Sequence, residues 1–332
     1  MKILRTDMEL EVPLVDKTLK NWGHQLRLVP DHISEDELCH VVADCELVLM
    51  CYTPITAKVI KSASRLKGIV KYGVGIDAID IQAAHAKGIT VVNIPEYAEE
   101  TVAEGAFAML LSLAKRMPEI QSTMKHHSWA WPESRWLGSD INGKTVGLVG
   151  CGKIGSSMAR MAGQGFRARV VGYDPFLTAE DMRGKGIEKF NSLQKMLSIC
   201  DFVSIHAVLN PETLHLMGRD ELKSMKPTAF LVNSARGALV DETALLGALK
   251  DGRIAGAGLD VYSMEPLNKK DHPLRELYQM ENVILFPHLT FYTREAMQRL
   301  EEETLERCLE IIEGRPVTIK STDPRLNRDA RS

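Results

Sequence analysis

Three glycines and one acidic residue carry the clearest chemical signal in the sequence. Gly150, Gly152 and Gly155 form the pattern G-x-G-x-x-G, and Asp174 follows about twenty residues later. The first glycine permits a tight turn, the second lets a pyrophosphate approach the backbone, and the third lets a helix pack closely on a strand. The free N–H groups at the start of that helix then attract phosphates. This pattern predicts a dinucleotide-binding site.

The acidic residue indicates which dinucleotide is bound. The Asp174 carboxylate can accept hydrogen bonds from ribose hydroxyls, but it repels a 2′-phosphate by ~4 kcal/mol per unit charge at ~4 Å and an effective dielectric constant of ~20. Pro175, Phe176 and Leu177 follow it, and none of them can neutralise a phosphate. We therefore predict NAD rather than NADP. The alternative is an ordinary solvated turn residue before a proline.

Three other side chains with acid–base or anion-binding chemistry follow predicted strands. Arg236 lies in VNSARG, Glu265 in DVYSMEP and His288 in FPHLT. An arginine fork can hold a carboxylate or polarise a ketone, and a histidine can give a proton to an oxygen as hydride reaches the carbon. A glutamate on the other ring nitrogen would orient the ring and favour its protonated form. Together they predict carbonyl reduction or its reverse, although each alone could be a surface ion pair, a turn cap or an ordinary loop residue.

A parallel sheet would bring these residues together. From residue 145 onward, apolar runs alternate with helical patterns, which predicts a doubly wound sheet whose ligands lie beyond the carboxyl ends of the strands. Asp174, Arg236, Asp260 and His288 all follow such ends. The six predicted strands are residues 145–149, 168–173, 202–206, 229–233, 254–260 and 283–286.

The rest of the chain predicts a second α/β layer. The first hundred residues again alternate strands with short helices. Residues 101–124 read as one long helix that could link two domains, residues 294–312 as a helix returning to the first domain, and residues 320–332 as a loose polar tail. The aromatic loop at residues 129–136 is either anchored on its own domain or a docking arm for another subunit.

Composition narrows the class of protein. A chain of 332 residues with 45% hydrophobic and 26% charged residues fits two globular domains. A net charge of −3 implies no nucleic-acid or anionic-membrane partner, and no apolar run is long enough to span a membrane. Six scattered cysteines indicate reduced thiols in the cytoplasm. The ten histidines form no zinc-binding helix pattern, so no metal site is expected.

Several segments together resemble the D-isomer-specific 2-hydroxyacid dehydrogenase family, over essentially the whole chain. These are KYGVGIDAID at 71–80, TVAEGAFAMLL at 101–111, VGLVGCGKIG at 146–155, DFVSIHAVLNPET at 201–213, LVNSARGALVDETAL at 231–245, GAGLDVYSMEP at 256–266 and NVILFPHLTFYT at 282–293.

The resemblance implies a fold and an activity. A Rossmann NAD domain, residues 99–290, would be inserted into a flavodoxin-like substrate domain, residues 1–98 and 291–332, with the active-site cleft between them. The fold class is thus α/β with two doubly wound parallel-sheet domains. The implied protein is a homodimer that transfers hydride between NAD(H) and a small 2-keto acid or D-2-hydroxy acid.

The resemblance also assigns residues. Arg236 would bind the substrate carboxylate and carbonyl, His288 would be the acid/base with Glu265 as its partner, and the N–H groups of Val74 and Gly75 would hold the carboxylate. The implied cofactor contacts are Gly150, Gly152, Lys153, Ile154 and Gly155 at the pyrophosphate, Asp174 at the ribose, Ala207, Val208 and Thr213 near adenine, Ser234 and Ala235 near nicotinamide, and Asp260 at its carboxamide.

Departures from the family pattern bear on the substrate. Phe291 and Tyr292 follow the active-site histidine segment, as in the D-lactate and D-hydroxyisocaproate branch, and Cys51 and Tyr52 replace a usual Arg–Ser pair, which counts against a phosphorylated substrate. D-3-phosphoglycerate dehydrogenase activity is nevertheless the first alternative, and an NAD-sensing corepressor-like regulator is the second. Whether Tyr52, Tyr97, Phe291 and Tyr292 line the substrate pocket is left open.

Overall fold

The computed structural model describes residues 1–129 and 131–326, which form two compact units. The first unit comprises Met1–Ala98 and the segment that begins at Tyr292, and the second comprises Glu99–Phe291. Each unit is built around one parallel sheet flanked by helices.

The strands are short and mostly buried. In chain order they are β1 (Lys2–Arg5), β2 (Gln25–Leu28), β3 (Leu47–Met50), β4 (Gly68–Lys71), β5 (Thr90–Asn93), β6 (Thr145–Val149), β7 (Arg169–Tyr173), β8 (Glu188–Lys189), β9 (Phe202–Ile205), β10 (Phe230–Asn233), β11 (Gly256–Leu259) and β12 (Val283–Leu285). Central strands such as β3 and β10 are buried along their whole length, as expected where helices cover both faces of a sheet.

The helices connect these strands. They are α1 (Pro13–Asn21), α2 (Glu35–Val42), α3 (Ala57–Ser62), α4 (Ile81–Ala86), α5 (Glu99–Ala114), α6 (Met117–His127), α7 (Lys153–Arg160), α8 (Ala179–Gly184), α9 (Leu193–Leu197), α10 (Arg219–Ser224), α11 (Glu242–Lys250) and α12 (Arg294–Ile312). Ser34 and Glu37 form a reciprocal capping box at the start of α2, which confirms the helix start that a serine followed three residues later by a glutamate predicts from the sequence.

The first unit has the strand order β2-β1-β3-β4-β5 with every pair parallel. This is the flavodoxin-like order, as predicted. Helix α12 packs within this unit, because Glu301 Oε2 accepts hydrogen bonds from Leu14 N at 2.6 Å and Val15 N at 3.1 Å at the start of α1. Ile311 packs on Gly68 of β4, where an added Cβ would lie only 2.7 Å from the Ile311 Cδ1.

The second unit has the order β12-β11-β10-β9-β6-β7-β8, again all parallel. Counted from β6, its first six strands reproduce the Rossmann order 3-2-1-4-5-6, and β12 adds a seventh. The order reverses between β6 and β9, and dinucleotides bind at such a switch point. The predicted Rossmann domain is therefore confirmed.

Two expectations about elements were wrong. The sheet has a seventh strand, β8, which pairs only Glu188 with Val171 and Lys189 with Gly172 and is too short to leave a periodic pattern. The predicted helix 101–124 is two helices, because Arg116 adopts a left-handed φ of 53° and Pro118 lies in the first turn of α6.

The tail, residues 320–332, was expected to be loose. This expectation was wrong for the part of the tail that the structure describes. Pro324–Leu326 form a 3₁₀ turn, and Leu326 is buried in the core of the first unit. Arg325 Nη2 bonds to Asp323 Oδ2 at 2.7 Å. Residues 327–332 of that tail, and Ala130 of the aromatic loop, lie outside the described residues.

Across the two described ranges, no helix combines the length and apolar character needed to cross a membrane.

Candidate active site

The glycine-rich turn after β6 has the geometry that its sequence implies. Gly150 has a φ of +90°, and a Cβ there would lie 2.6 Å from Ala207 N. A Cβ on Gly155 would lie 2.3 Å from the Gly150 carbonyl oxygen, whereas one on Gly152 would meet nothing within 4 Å. Two glycines are thus required by close packing, and the second leaves the backbone open to a ligand.

Helix α7 begins at this turn without a side-chain cap. Its N-cap is Gly152, and Lys153 and Ile154 are its first residues. The Lys153 Nζ lies 2.9 Å from the Glu99 Oε1 of α5, so this side chain is held beside the helix start. The N–H groups of the first turn are available to an anion, as a pyrophosphate requires.

Asp174 follows β7 and is oriented by its neighbours. Its Oδ2 accepts from Cys151 N at 3.0 Å and its Oδ1 from Phe176 N at 2.9 Å. Sequence reasoning missed Lys185, whose Nζ donates to the Cys151 carbonyl at 2.9 Å. This cation comes from the turn before β8, and only the fold brings it to the glycine-rich turn.

The segment after β9 forms a compact turn at the predicted adenine side. Thr213 Oγ1 donates to the Val208 carbonyl at 2.7 Å, and the Val208 side chain is exposed. Ala207 contacts the glycine turn through Gly150. Burial lowers the pKa of His206 to about 4, so this ring, which lies 2.9 Å from Ser204 Oγ, is neutral at pH 7.

The loop after β10 is shaped by Asn233. Its Nδ2 donates to the Arg236 carbonyl at 2.9 Å, and its Oδ1 accepts from Ala235 N at 3.1 Å. Ser234 Oγ is buried and has no hydrogen-bond partner among the described residues. An unsatisfied buried hydroxyl is costly, so its position on the predicted nicotinamide side fits a site completed by a bound cofactor.

The pair of His288 and Glu265 forms as predicted. His288 Nδ1 lies 2.8 Å from Glu265 Oε2, and both side chains are about one quarter to one third exposed. Glu265 Oε1 accepts from Tyr262 N at 2.9 Å. Burial alone would raise the pKa of Glu265, but the bonds from His288 and Tyr262 and the charge of Arg236 together hold it below its usual value.

The backbone brings the Arg236 loop against the Glu265 loop. A Cβ on Gly237 would lie 2.0 Å from the Tyr262 carbonyl carbon and 2.1 Å from Ser263 N, so only glycine permits this approach. Arg236 Nη1 donates to the Ala235 carbonyl at 2.7 Å. The structure therefore gathers the predicted arginine, glutamate and histidine at one edge of the second unit's sheet.

A buried carboxylate holds the histidine segment. His288 has a left-handed φ of 59°, and its N–H donates to the Asp260 carbonyl at 2.7 Å. The Asp260 side chain accepts from Leu289 N at 2.8 Å, Thr290 N at 3.0 Å and Thr290 Oγ1 at 2.5 Å. Gly105 of α5 packs directly beneath Thr290. Asp260 thus orients the segment that carries His288, and its contact with the carboxamide stays a prediction.

A second histidine, which sequence reasoning missed, fixes the loop that carries Glu265. His272 is buried; its Nε2 lies 2.8 Å from the Met264 carbonyl and its Nδ1 accepts from Leu274 N at 3.0 Å. The carbonyl can only accept, so the ring is the Nε2–H tautomer. One signal was available in the sequence: His272 adjoins a proline in the loop that carries the predicted catalytic residue Glu265.

In the first unit, the segment after β4 carries Val74 and Gly75. Asn93 Nδ2, at the end of β5, donates to the Val74 carbonyl at 2.6 Å and fixes the direction of this peptide. Gly73 precedes them with a φ of +152°. The backbone N–H groups proposed for carboxylate binding thus lie at the carboxyl edge of this sheet.

The four aromatic residues that could line a substrate pocket differ in exposure. Tyr97 and Phe291 are buried, whereas Tyr52 and Tyr292 are exposed. The Phe291 ring meets the His288 ring edge-on at 6.4 Å between centroids. In the second unit, Phe291 is therefore an aromatic side chain beside the candidate acid/base.

Potential metal ligands within the described ranges group elsewhere. Glu9, Asp31 and His32 of the first unit come together, and all three are exposed.

The sequence of this unit also matches the profile of a known protein family. The sequence profile of the D-isomer specific 2-hydroxyacid dehydrogenase NAD-binding domain matches residues 107–290. These residues include β6 to β12 and all three members of the Arg236, Glu265 and His288 group.

Individual proteins match over most of the chain. A glyoxylate reductase of Korarchaeum cryptofilum is 40% identical over 276 residues, which are 82% of this chain and 81% of that protein. A D-3-phosphoglycerate dehydrogenase of Methanocaldococcus jannaschii is 36% identical over 85% of this chain, but the chain spans about half, 52%, of that protein.

The fold is also found among solved structures. A D-lactate dehydrogenase of Aquifex aeolicus, complexed with NAD and lactic acid, superposes with a TM-score of 0.83 at 32% identity over 94% of this chain and 96% of that one. The chain therefore belongs to the D-isomer specific 2-hydroxyacid dehydrogenase family and is an NAD-dependent 2-hydroxyacid oxidoreductase.

Proposed function

We propose that this enzyme interconverts 2-keto acids and D-2-hydroxy acids, with His288 and Glu265 as the acid/base pair and Arg236 binding the substrate carboxylate and carbonyl. The observation that carries the proposal is the 2.8 Å contact between His288 Nδ1 and Glu265 Oε2. In this contact Nδ1 faces the carboxylate, and we assign to Nε2 the proton exchange with the substrate oxygen.

The residues of the second unit divide the reaction between them. NAD, when bound, supplies or accepts the hydride. His288 protonates the oxygen during reduction or removes the proton during oxidation, and Glu265 stabilises the charged ring. Arg236 polarises the carbonyl and neutralises negative charge that develops on its oxygen.

The proposed domain roles follow from these assignments. We assign residues 99–290 to cofactor binding and residues 1–98 and 291–332 to substrate binding, in which the N–H groups of Val74 and Gly75 bind the carboxylate. The cofactor contacts proposed from the sequence are retained. The packing of Gly150 and Gly155 and the open face of Gly152 support them.

The substrate class is the next assignment. We propose an unphosphorylated 2-keto acid, since neither Cys51 nor Tyr52 is itself a cation, and the Lys71 ammonium group beside them is bonded to the Cys51 carbonyl. D-3-phosphoglycerate is the second candidate, because a relative with that name is 36% identical over 85% of the chain.

A substrate panel tests the proposal. NADH oxidation is measured with glyoxylate, pyruvate, 2-ketoisocaproate, hydroxypyruvate and phosphohydroxypyruvate. Turnover of unphosphorylated acids with weak turnover of phosphohydroxypyruvate is expected, and the reverse preference would favour the second candidate. NADH binding without turnover of any of these five acids would instead favour an NAD-sensing regulator.

We further propose a homodimer located in the cytoplasm. Six free cysteines suit a reducing compartment. Five apolar side chains between residues 117 and 137 are exposed in the single chain, which suits a subunit interface: Met117, Met124, Trp129, Trp131 and Leu137. Light scattering after gel filtration measures the mass; a monomer would remove the dimer assignment.

A further inference from the structure

The first unit contains a buried lysine that the proposed reaction has not used. Lys71 is the last residue of β4 and is only 6% exposed. Its Nζ donates to the Cys51 carbonyl, lies 3.3 Å from Cys51 Sγ, and sits 5.5 Å from the centre of the Tyr52 ring. Among the described residues, no carboxylate forms an ion pair with it.

In these contacts no negatively charged group is bonded directly to the ammonium group. A carbonyl and an aromatic ring provide only partial charges, and burial raises the pKa of the Cys51 thiol, so this sulfur is not an anion. The Asp7 carboxylate at the same sheet edge is bonded to Cys51 N at 2.7 Å and to Thr53 N at 2.9 Å instead. A buried cation in this state is costly unless a ligand supplies the anion.

The position of the ammonium group indicates which anion that is. A Cβ on Gly73 would lie 2.9 Å from Lys71 Nζ, so the ammonium group lies against the segment that leads into Val74 and Gly75. Asn93 holds the Val74 carbonyl at 2.6 Å. The N–H groups assigned to the substrate carboxylate therefore follow directly on the residue that Lys71 touches.

We infer that Lys71 is a substrate-binding residue whose ammonium group is a counter-ion of the 2-keto acid carboxylate, alongside the N–H groups of Val74 and Gly75. This inference rests on the proposed function. It goes beyond it by adding a charged side chain to the backbone donors that the first unit contributes to carboxylate binding.

Another lysine of the same unit provides a matched control. Lys87 Nζ donates to three carbonyls, those of Ile60, Lys61 and Ala63, at 2.9, 3.0 and 3.1 Å. All three of its donors are satisfied by the protein. Its side chain therefore serves structure alone, and Lys87→Met should leave the kinetic constants unchanged.

The test compares Lys71→Met and Lys87→Met with the wild-type enzyme, using pyruvate and glyoxylate with saturating NADH. Loss of one charge-assisted bond to the carboxylate should raise KM about 10- to 100-fold and change kcat less than about threefold. If Lys71→Met does not fold, Lys71→Gln, which keeps a donor for the Cys51 carbonyl, carries the same comparison.

Two results would overturn the inference. One is a wild-type KM for Lys71→Met in an active enzyme. The other is a KM that rises only for substrates with a second acidic group, such as oxaloacetate, because Lys71 would then bind the far end of the substrate. A wild-type enzyme that reduces no 2-keto acid would instead remove the proposed function itself.

Discussion

At the residue scale, the acid/base role proposed for His288 gives its two ring nitrogens different tasks. Nδ1 is bonded to Glu265, and the other oxygen of that carboxylate is held by Tyr262 N. The Glu265 carboxylate is therefore held through both of its oxygens, and this fixes the orientation of the His288 ring. The left-handed φ of 59° at His288 marks a backbone held in place by its surroundings. An acid/base residue needs this fixed orientation to meet the reacting oxygen.

Replacing Glu265 by glutamine should lower kcat at least about tenfold, because the amide cannot stabilise a protonated ring. The pKa of Glu265 is lowered in the folded state, although burial opposes the shift. Its carboxylate therefore adds stability that is fully present above its unfolded pKa of ~4.3 and is lost as the pH falls through the lower folded pKa.

Urea unfolding of the wild type and of Glu265→Gln, measured from pH 7 to pH 3, checks the sign of this effect. The difference in unfolding free energy should be constant at neutral pH and should shrink below about pH 4. A difference that stays unchanged down to pH 3 would show that the partners of the carboxylate do not lower its pKa.

Asp174 should decide between NADH and NADPH. The wild type should favour NADH by at least about 100-fold in kcat/KM, since a carboxylate repels the 2′-phosphate. Asp174→Asn keeps an acceptor for one of the two N–H groups bonded to it and removes the charge. With Lys185 nearby, this change should narrow the ratio at least about tenfold. An unchanged ratio would place the ribose elsewhere.

At the element scale, the loops after β10, β11 and β12 carry the proposed catalytic residues, and buried polar groups hold each loop. Asn233 shapes the first, His272 fixes the second, and the Asp260 carboxylate fixes the third. Each polar group has partners that satisfy it, so the loops are rigid although they lack regular structure. Reactive groups on such loops keep their geometry because a stable sheet supports them.

His272 should act through Glu265, since it holds the carbonyl of the preceding Met264. A glutamine at position 272 can still reach that carbonyl, whereas an asparagine can only replace the Nδ1 contact with Leu274 N at 3.0 Å. We expect His272→Asn to lower kcat about tenfold and His272→Gln to lower it less than about threefold.

A double-mutant cycle with Glu265→Gln separates positioning from general destabilisation. In the Glu265→Gln background, His272→Asn should have less than about a twofold further effect on kcat, because the Glu265 carboxylate that His272 positions is already lost. Independent, multiplicative losses would show that His272 only stabilises the fold.

Sequence reasoning found the features that leave local patterns. The apolar run before Gly150, the glycine spacing and the Ser34–Glu37 cap each depend on neighbouring residues, and all were predicted. Lys71, Lys185 and His272 were missed because their partners are distant in the chain and no periodicity marks them. The break at Arg116 was missed because the apolar pattern continues through it.

At the scale of the whole molecule, one chain forms two α/β units, and the segment from Tyr292 returns to the first. The glyoxylate reductase relative is matched over 81% of its length and the phosphoglycerate dehydrogenase relative over 52%. Each unit presents polar groups beyond the carboxyl ends of its own strands, where ligands of parallel sheets bind.

The most direct measurement is single-turnover oxidation of bound NADH by a 2-keto acid, comparing the wild type with His288→Gln. The wild type should react rapidly, and the variant should react at least about 100-fold more slowly while it binds NADH with unchanged fluorescence and affinity. A variant that oxidises NADH at the wild-type rate would contradict the assignment of His288 as the acid/base.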